Sequence, residues 1–135
     1  MTRNASFKRK THCVFRLTYH IIFVTKFRRK ILTHDILNSL YIIILDFCKS
    51  VNVEVVEIKG ESDHIHFILD CSPQDTVGSV VGAIKSKSSS VIIRQFGPFF
   101  YGKHRNTIWS KGYFVVTTGG VTIDVVKQYI QNQNS

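Results

Sequence analysis

A chain of 135 residues that is 44% hydrophobic and 12% aromatic carries enough apolar material for a core without disulfides, which excludes a disordered chain. Eighteen Lys and Arg against nine Asp and Glu leave a formal charge of +9 and a pI near 9.7, so a polyanion is the expected partner, nucleic acid ahead of a membrane surface. Three widely spaced cysteines (Cys13, Cys48, Cys71) without CxxC spacing, and a longest apolar run of only Tyr41 to Leu45, fit buried thiols in a cytoplasmic protein and exclude a membrane span.

The first twelve residues read as a basic N-terminal segment with no hydrophobic run of signal type behind it. From Cys13 to Thr25 the β-branched and aromatic residues predict a first strand, followed by the basic cluster Lys26, Arg28, Arg29 and Lys30. Thr33 or Asp35 can cap a helix whose Ile36, Leu40, Ile43, Ile44 and Phe47 keep helical spacing, and which ends near Ser50. Val53 to Ile58 predicts a second strand, Lys59 to Asp63 a turn centred on Gly60, and His64 to Leu69 a third strand; together they form an antiparallel hairpin.

Pro73 with Asp75 is expected to start a second helix, with Val77, Val80, Val81, Ile84, Val91 and Ile92 on its apolar face. Its middle, Lys85 to Ser90, is polar enough to face solvent or phosphate, and Gly97-Pro98 should end it. Phe99 to Thr107 reads as irregular and basic, and Ile108 to Thr117 as a fourth strand interrupted by Gly112. Gly119-Gly120 is a flexible break before a final helix, from about Thr122 to Asn132, that carries Tyr129.

This order predicts a single α+β domain over residues 1–135. Its core is a ferredoxin-like βαββαβ arrangement, one antiparallel sheet with two helices on one face, as in RNA-recognition domains. Residues 118–135 would add a hinged, mobile C-terminal helix. Alternation along the third strand sends His64 and His66 to one face and Ile65 and Phe67 to the other. If the apolar pair packs beneath the helices, the two histidines look out from the uncovered face.

Two imidazoles side by side are a half-site for a divalent metal. Without thiols at suitable spacing, a structural zinc site does not fit, whereas a catalytic ion with positions open to phosphate oxygens does. A tyrosine phenol, with a pKa of about 10, is a poor nucleophile, but a metal-polarised phosphate is a suitable target for it. Gln133 lies four residues after Tyr129, one helical turn away on the same face, so one docking helix could deliver nucleophile and third ligand together. Lys26, Arg28, Arg29, Lys30, Lys85 and Lys87 are candidate phosphate contacts supplying salt-dependent affinity.

In five segments the chain resembles the single-tyrosine HUH transposases of the smallest bacterial and archaeal insertion sequences, the transposase A type. These are Tyr19 to Lys30 (YHIIFVTKFRRK), Ser62 to Phe67 (SDHIHF), Ile84 to Ser89 (IKSKSS), Trp109 to Val115 (WSKGYFV) and Tyr129 to Gln133 (YIQNQ). The resemblance implies that His64, His66 and Gln133 bind Mg2+ or Mn2+. It implies that Tyr129 attacks a phosphate of single-stranded DNA, leaving a 5′-phosphotyrosine and a free 3′-OH. It further implies a homodimer that recognises end hairpins, with the C-terminal helix of one subunit able to complete the site of the other. Gly119-Gly120 stands where such an exchange needs a hinge. Two other readings compete: a metal-dependent phosphoesterase using activated water, and a single-strand nucleic-acid binding module without catalysis.

Overall fold

The computed structural model describes residues 8–10, 13–15, 17–100, 107–117 and 130–132. Among the described residues these strands and longer α-helices follow in chain order: β1 (Lys8–Lys10), β2 (Cys13–Phe15), β3 (Leu17–Val24), α1 (His34–Ser50), β4 (Glu54–Gly60), β5 (His64–Cys71), α2 (Val77–Gln95), α3 (Gly97–Phe100) and β6 (Phe114–Thr117). The main sheet has the order β4-β5-β3-β6 with antiparallel neighbours throughout, which is the expected ferredoxin-like α+β sheet. β3 and β5 are therefore central, and their register pairs Val24 with His64 and Ile22 with His66.

The core lies between the sheet and the two long helices. Ile21 and Phe23 of β3 and Ile65, Phe67 and Leu69 of β5 meet Ile36, Leu40 and Ile44 of α1 and Val81, Ile84 and Ile92 of α2. The spacings are the cause: every second residue of a strand and every third or fourth of a helix share a face. The Phe23 ring stands edge-on to Phe67 at 5.2 Å and lies 5.3 Å from Trp109. Trp109 is buried, as an apolar indole should be, and its Nε1 donates to Ser88 Oγ at 2.9 Å.

Several boundaries differ from expectation for local reasons. β1, within the basic N-terminal segment, pairs antiparallel with β2 in a two-stranded ribbon separate from the main sheet, so Cys13–Phe15 and Leu17–Val24 of the predicted first strand belong to different sheets. α1 begins as predicted, with the Thr33 hydroxyl accepting from Ile36 N. α2 begins at Val77 rather than near Pro73. Pro73 and Asp75 belong to their own turn, in which Asp75 Oδ2 accepts from Ser72 N at 2.7 Å. Gly97 opens the short α3 after α2 has closed. Only Phe114–Thr117 of the predicted fourth strand is a strand; Trp109 makes an isolated bridge to Thr25. The middle of α2 is not a purely solvated flank, since Ser88 and Ser89 are buried against Trp109 and Ile108.

Candidate active site

His64 and His66 project from the face of β5 opposite the helices, as the alternation predicted, but that face is not open. Ile22 and Val24, which share it on β3, are 0% and 1% exposed, and both imidazoles are half-buried. A third imidazole joins them: His20, diagonal to His66 across the β3–β5 pair, has its ring centroid 5.4 Å from that of His66. Burial lowers the pKa of His66, with His20 and His64 adding to the effect, and burial likewise lowers that of His20. His66 is accordingly neutral near pH 7, the form in which an imidazole binds metal.

Asp63 orients the first imidazole. It sits at the end of the β4–β5 turn, 9% exposed, and its Oδ1 lies 2.8 Å from His64 Nδ1. A carboxylate only accepts, so Nδ1 carries the hydrogen and Nε2 keeps its lone pair for a ligand. The sequence predicts Asp63 as a turn residue; its position next to His64 is the signal for this second role.

The basic cluster is held against this turn by Thr25. That buried residue donates its N–H to Asp63 O at 2.9 Å, and its hydroxyl lies 2.7 Å from Arg29 O and 3.2 Å from Asp63 O. The chain then makes a tight turn at Lys26–Arg28 in which Phe27 and Arg28 both adopt left-handed backbone, φ 60° and 53°. Two consecutive non-glycine residues there store strain of about 1–3 kcal/mol each, a feature that concentrates at functional sites. The turn separates its side chains. Phe27 is exposed, with Lys26 Nζ and Arg29 Cζ within 5.8 and 5.4 Å of its ring, and Lys30 faces solvent. Arg28 is turned to the site, with Nε 3.7 Å from Asp63 Oδ2 and Nη1 donating to the main-chain oxygen of Gln131 at 3.1 Å.

The last contact matters most for the candidate nucleophile. Tyr129, Gln133, Gly119 and Gly120 lie outside the described residues. Residues 130–131 are helical, however, and Gln131 stands two positions from each of Tyr129 and Gln133. Arg28 thus links the C-terminal segment to the Asp63–His64 pair. Although His20 and Asp63 stand beside them, among the described residues no group of three His, Cys, Asp or Glu side chains is placed to hold a metal ion together.

The two candidate lysines of α2 part company. Lys85 donates to Lys111 O and Gly112 O, at 2.6 and 3.1 Å, near the end of β3, whereas Lys87 lies over the Phe47 ring of α1. No helix among the described residues is long and apolar enough to cross a membrane.

Comparison with known proteins gives a consistent set of similarities. Residues 13–133 match the family described as IS200-like transposases. The chain is 32% identical over 126 residues to the transposase of insertion sequence IS200 from Salmonella typhimurium, covering 93% of this chain and 82% of that one. It is 25% identical over 121 residues to the ISDra2 transposase TnpA of Deinococcus radiodurans, covering 90% and 86%. A crystal structure of a Deinococcus radiodurans protein assigned as a transposase superposes with a TM-score of 0.86 at 27% identity, covering 95% of this chain and 98% of that one. A REP-associated tyrosine transposase bound to a REP hairpin shares the fold, with a TM-score of 0.58 at 14% identity over 96% of this chain and 70% of that one.

Proposed function

This chain belongs to the IS200-like transposase family and is a transposase; from that premise we propose that it cuts and rejoins single-stranded DNA at insertion-sequence ends, using Tyr129 as nucleophile. The observation that supports the proposal is the Arg28 contact to Gln131, which sets residue 131, two positions from each of Tyr129 and Gln133, beside the Asp63–His64 pair.

The Tyr129 oxygen, on losing its proton, attacks the scissile phosphorus. The bond from phosphorus to the 3′ oxygen breaks, that oxygen takes up a proton, and the 5′ end stays on the protein as a phosphotyrosine. In the return step a 3′-hydroxyl attacks the same phosphorus, and the Tyr129–phosphorus bond breaks. One phosphodiester is conserved throughout, so no nucleotide triphosphate is needed. His64 and His66 suit a divalent ion: one imidazole has Nδ1 occupied by Asp63, and the other is kept neutral by burial. With Gln133 they would hold Mg2+ or Mn2+, which when bound supplies charge to polarise the scissile phosphate. Asp63 fixes the His64 ring, and Arg28 holds the C-terminal segment in reach.

The working unit we propose is a homodimer on DNA carrying end hairpins, in the cytoplasm. The tyrosine segment completes its own site or the partner subunit's, with Gly119-Gly120 as the hinge. The test is incubation with labelled single-stranded DNA bearing the element's own end hairpin, with Mg2+ or EDTA, followed by a denaturing gel. A metal-dependent covalent adduct lost in Tyr129→Phe is the expected result. Cleavage that persists without an adduct would instead identify a phosphoesterase, and DNA bound but uncut a binding module.

A further inference from the structure

At the end of β3, on the side of β6, lies a cleft of about 180 Å³ lined by Lys26, Lys85, Thr107, Trp109, Ser110 and Lys111. Three of its walls are lysines, and no carboxylate is among the described residues that line it. Ser110 is 1% exposed, yet among the described residues its hydroxyl has no hydrogen-bond partner. A buried hydroxyl left in that state costs stability unless a ligand uses it. Lys85 is held in place by the carbonyls of Lys111 and Gly112, which occupy two of its three N–H donors and leave the third available. Burial lowers its pKa, a cost that a bound anion offsets.

We propose that this cleft binds one backbone phosphate of the single-stranded DNA, through the ammonium groups of Lys26, Lys85 and Lys111 and the Ser110 hydroxyl. The inference rests on the transposase reading above and gives that reading a second, non-scissile phosphate site. The size fits. The cleft exceeds what one water needs but falls below the roughly 300–1,000 Å³ of sites that enclose a whole small molecule, as expected for one unit of a longer polymer. The position fits as well. Lys26 follows directly on Val24 and Thr25, and Val24 pairs with His64, so cleft and imidazoles flank the same end of β3. Lys85 reaches the cleft from α2 and the imidazoles stand on the opposite face, so DNA occupying both bends round the end of β3.

The chain has a single tryptophan, and Trp109 lines this cleft, so its fluorescence reports occupancy directly. The experiment is a titration of the full chain with a short oligothymidylate across a range of salt concentrations, in parallel with inorganic phosphate alone. The wild type is expected to change its fluorescence on adding oligonucleotide. Ser110→Ala is expected to weaken binding roughly tenfold, the loss of one hydrogen bond to a charged group, without lowering the melting temperature. Lys111→Gln, at an exposed position, is expected to reduce the slope of log affinity against log salt by about 0.7. Should Ser110→Ala fail to fold, the salt slope of Lys111→Gln decides. Wild-type affinity and slope in both variants overturn the proposal. So does a fluorescence change produced by inorganic phosphate that oligonucleotide cannot displace, which would mark a site for a free anion. The adduct assay separates the two levels: a normal adduct with unaffected variants refutes the cleft alone, and a fluorescence response without any adduct refutes the tyrosine mechanism alone.

Discussion

Asp63 illustrates how much chemistry one turn residue can hold. Its two oxygens face different partners, Oδ1 the His64 ring and Oδ2 the Arg28 guanidinium, while its carbonyl receives the N–H of Thr25. Asp63→Asn keeps the shape but can present an N–H to His64 Nδ1, removing the reason for that nitrogen to hold the hydrogen. Partners of this kind are worth 10- to 100-fold in metal affinity. Asp63→Asn is therefore expected to raise the Mn2+ concentration needed for half-maximal adduct formation by about that factor, with Tm little changed. A metal titration identical to the wild type would remove Asp63 from the site. At this scale the sequence displayed the HxH pair because strand alternation is a local rule. It could not display His20 beside His66, or the Arg28 contact to Gln131, because those need the register of β3 on β5 and a closure over 103 residues.

The elements were legible where a signal was local and self-contained. Thr33 caps α1 because its hydroxyl meets the N–H three residues on, and the periodic Ile36, Leu40 and Ile44 do the rest. α2 starts later than predicted because Pro73 and Asp75 suit two competing structures, a helix start and a turn, and the turn wins through Asp75 and Ser72. Ser88 and Ser89 read as facing solvent or phosphate because a hydroxyl is buried only when a distant partner satisfies it, here the indole of Trp109 and the amide of Ile108. The close contact between β4 and α1 gives a prediction at the same scale. A Cβ at Gly60 would collide with Leu37 Cδ2, and Gly60 N donates to the Tyr41 hydroxyl at 2.9 Å. Gly60→Ala requires either the Leu37 side chain to turn aside or α1 to shift from the hairpin that carries His64, and is expected to cost about 1 kcal/mol in denaturant unfolding. An unchanged midpoint would show that Leu37 simply rotates aside.

For the molecule as a whole, the buried thiols offer a probe of global opening. Cys48 of α1 and Cys71 of β5 are both buried beneath the sheet–helix interface, and burial, with Cys71 adding to it, pushes the Cys48 pKa up to about 12. At pH 8 the native thiol is protonated and inaccessible, so alkylation of Cys48 is expected to occur only on unfolding; rapid native labelling would contradict the packing. The sign of the pH effect follows. Because folding raises this pKa above the ordinary value of 9.0, the preference is neutral below pH 9 and destabilises the fold progressively as pH climbs toward 12. Within that fold, the contact between Arg28 and Gln131 is made to the main chain. A peptide carbonyl is present whatever side chain its residue bears, so copies of the element can drift at position 131 and still keep their C-terminal segment moored. The side-chain half of the mooring lies at the other end, on a guanidinium in a strained turn, so a substitution at position 28, unlike one at position 131, removes the contact.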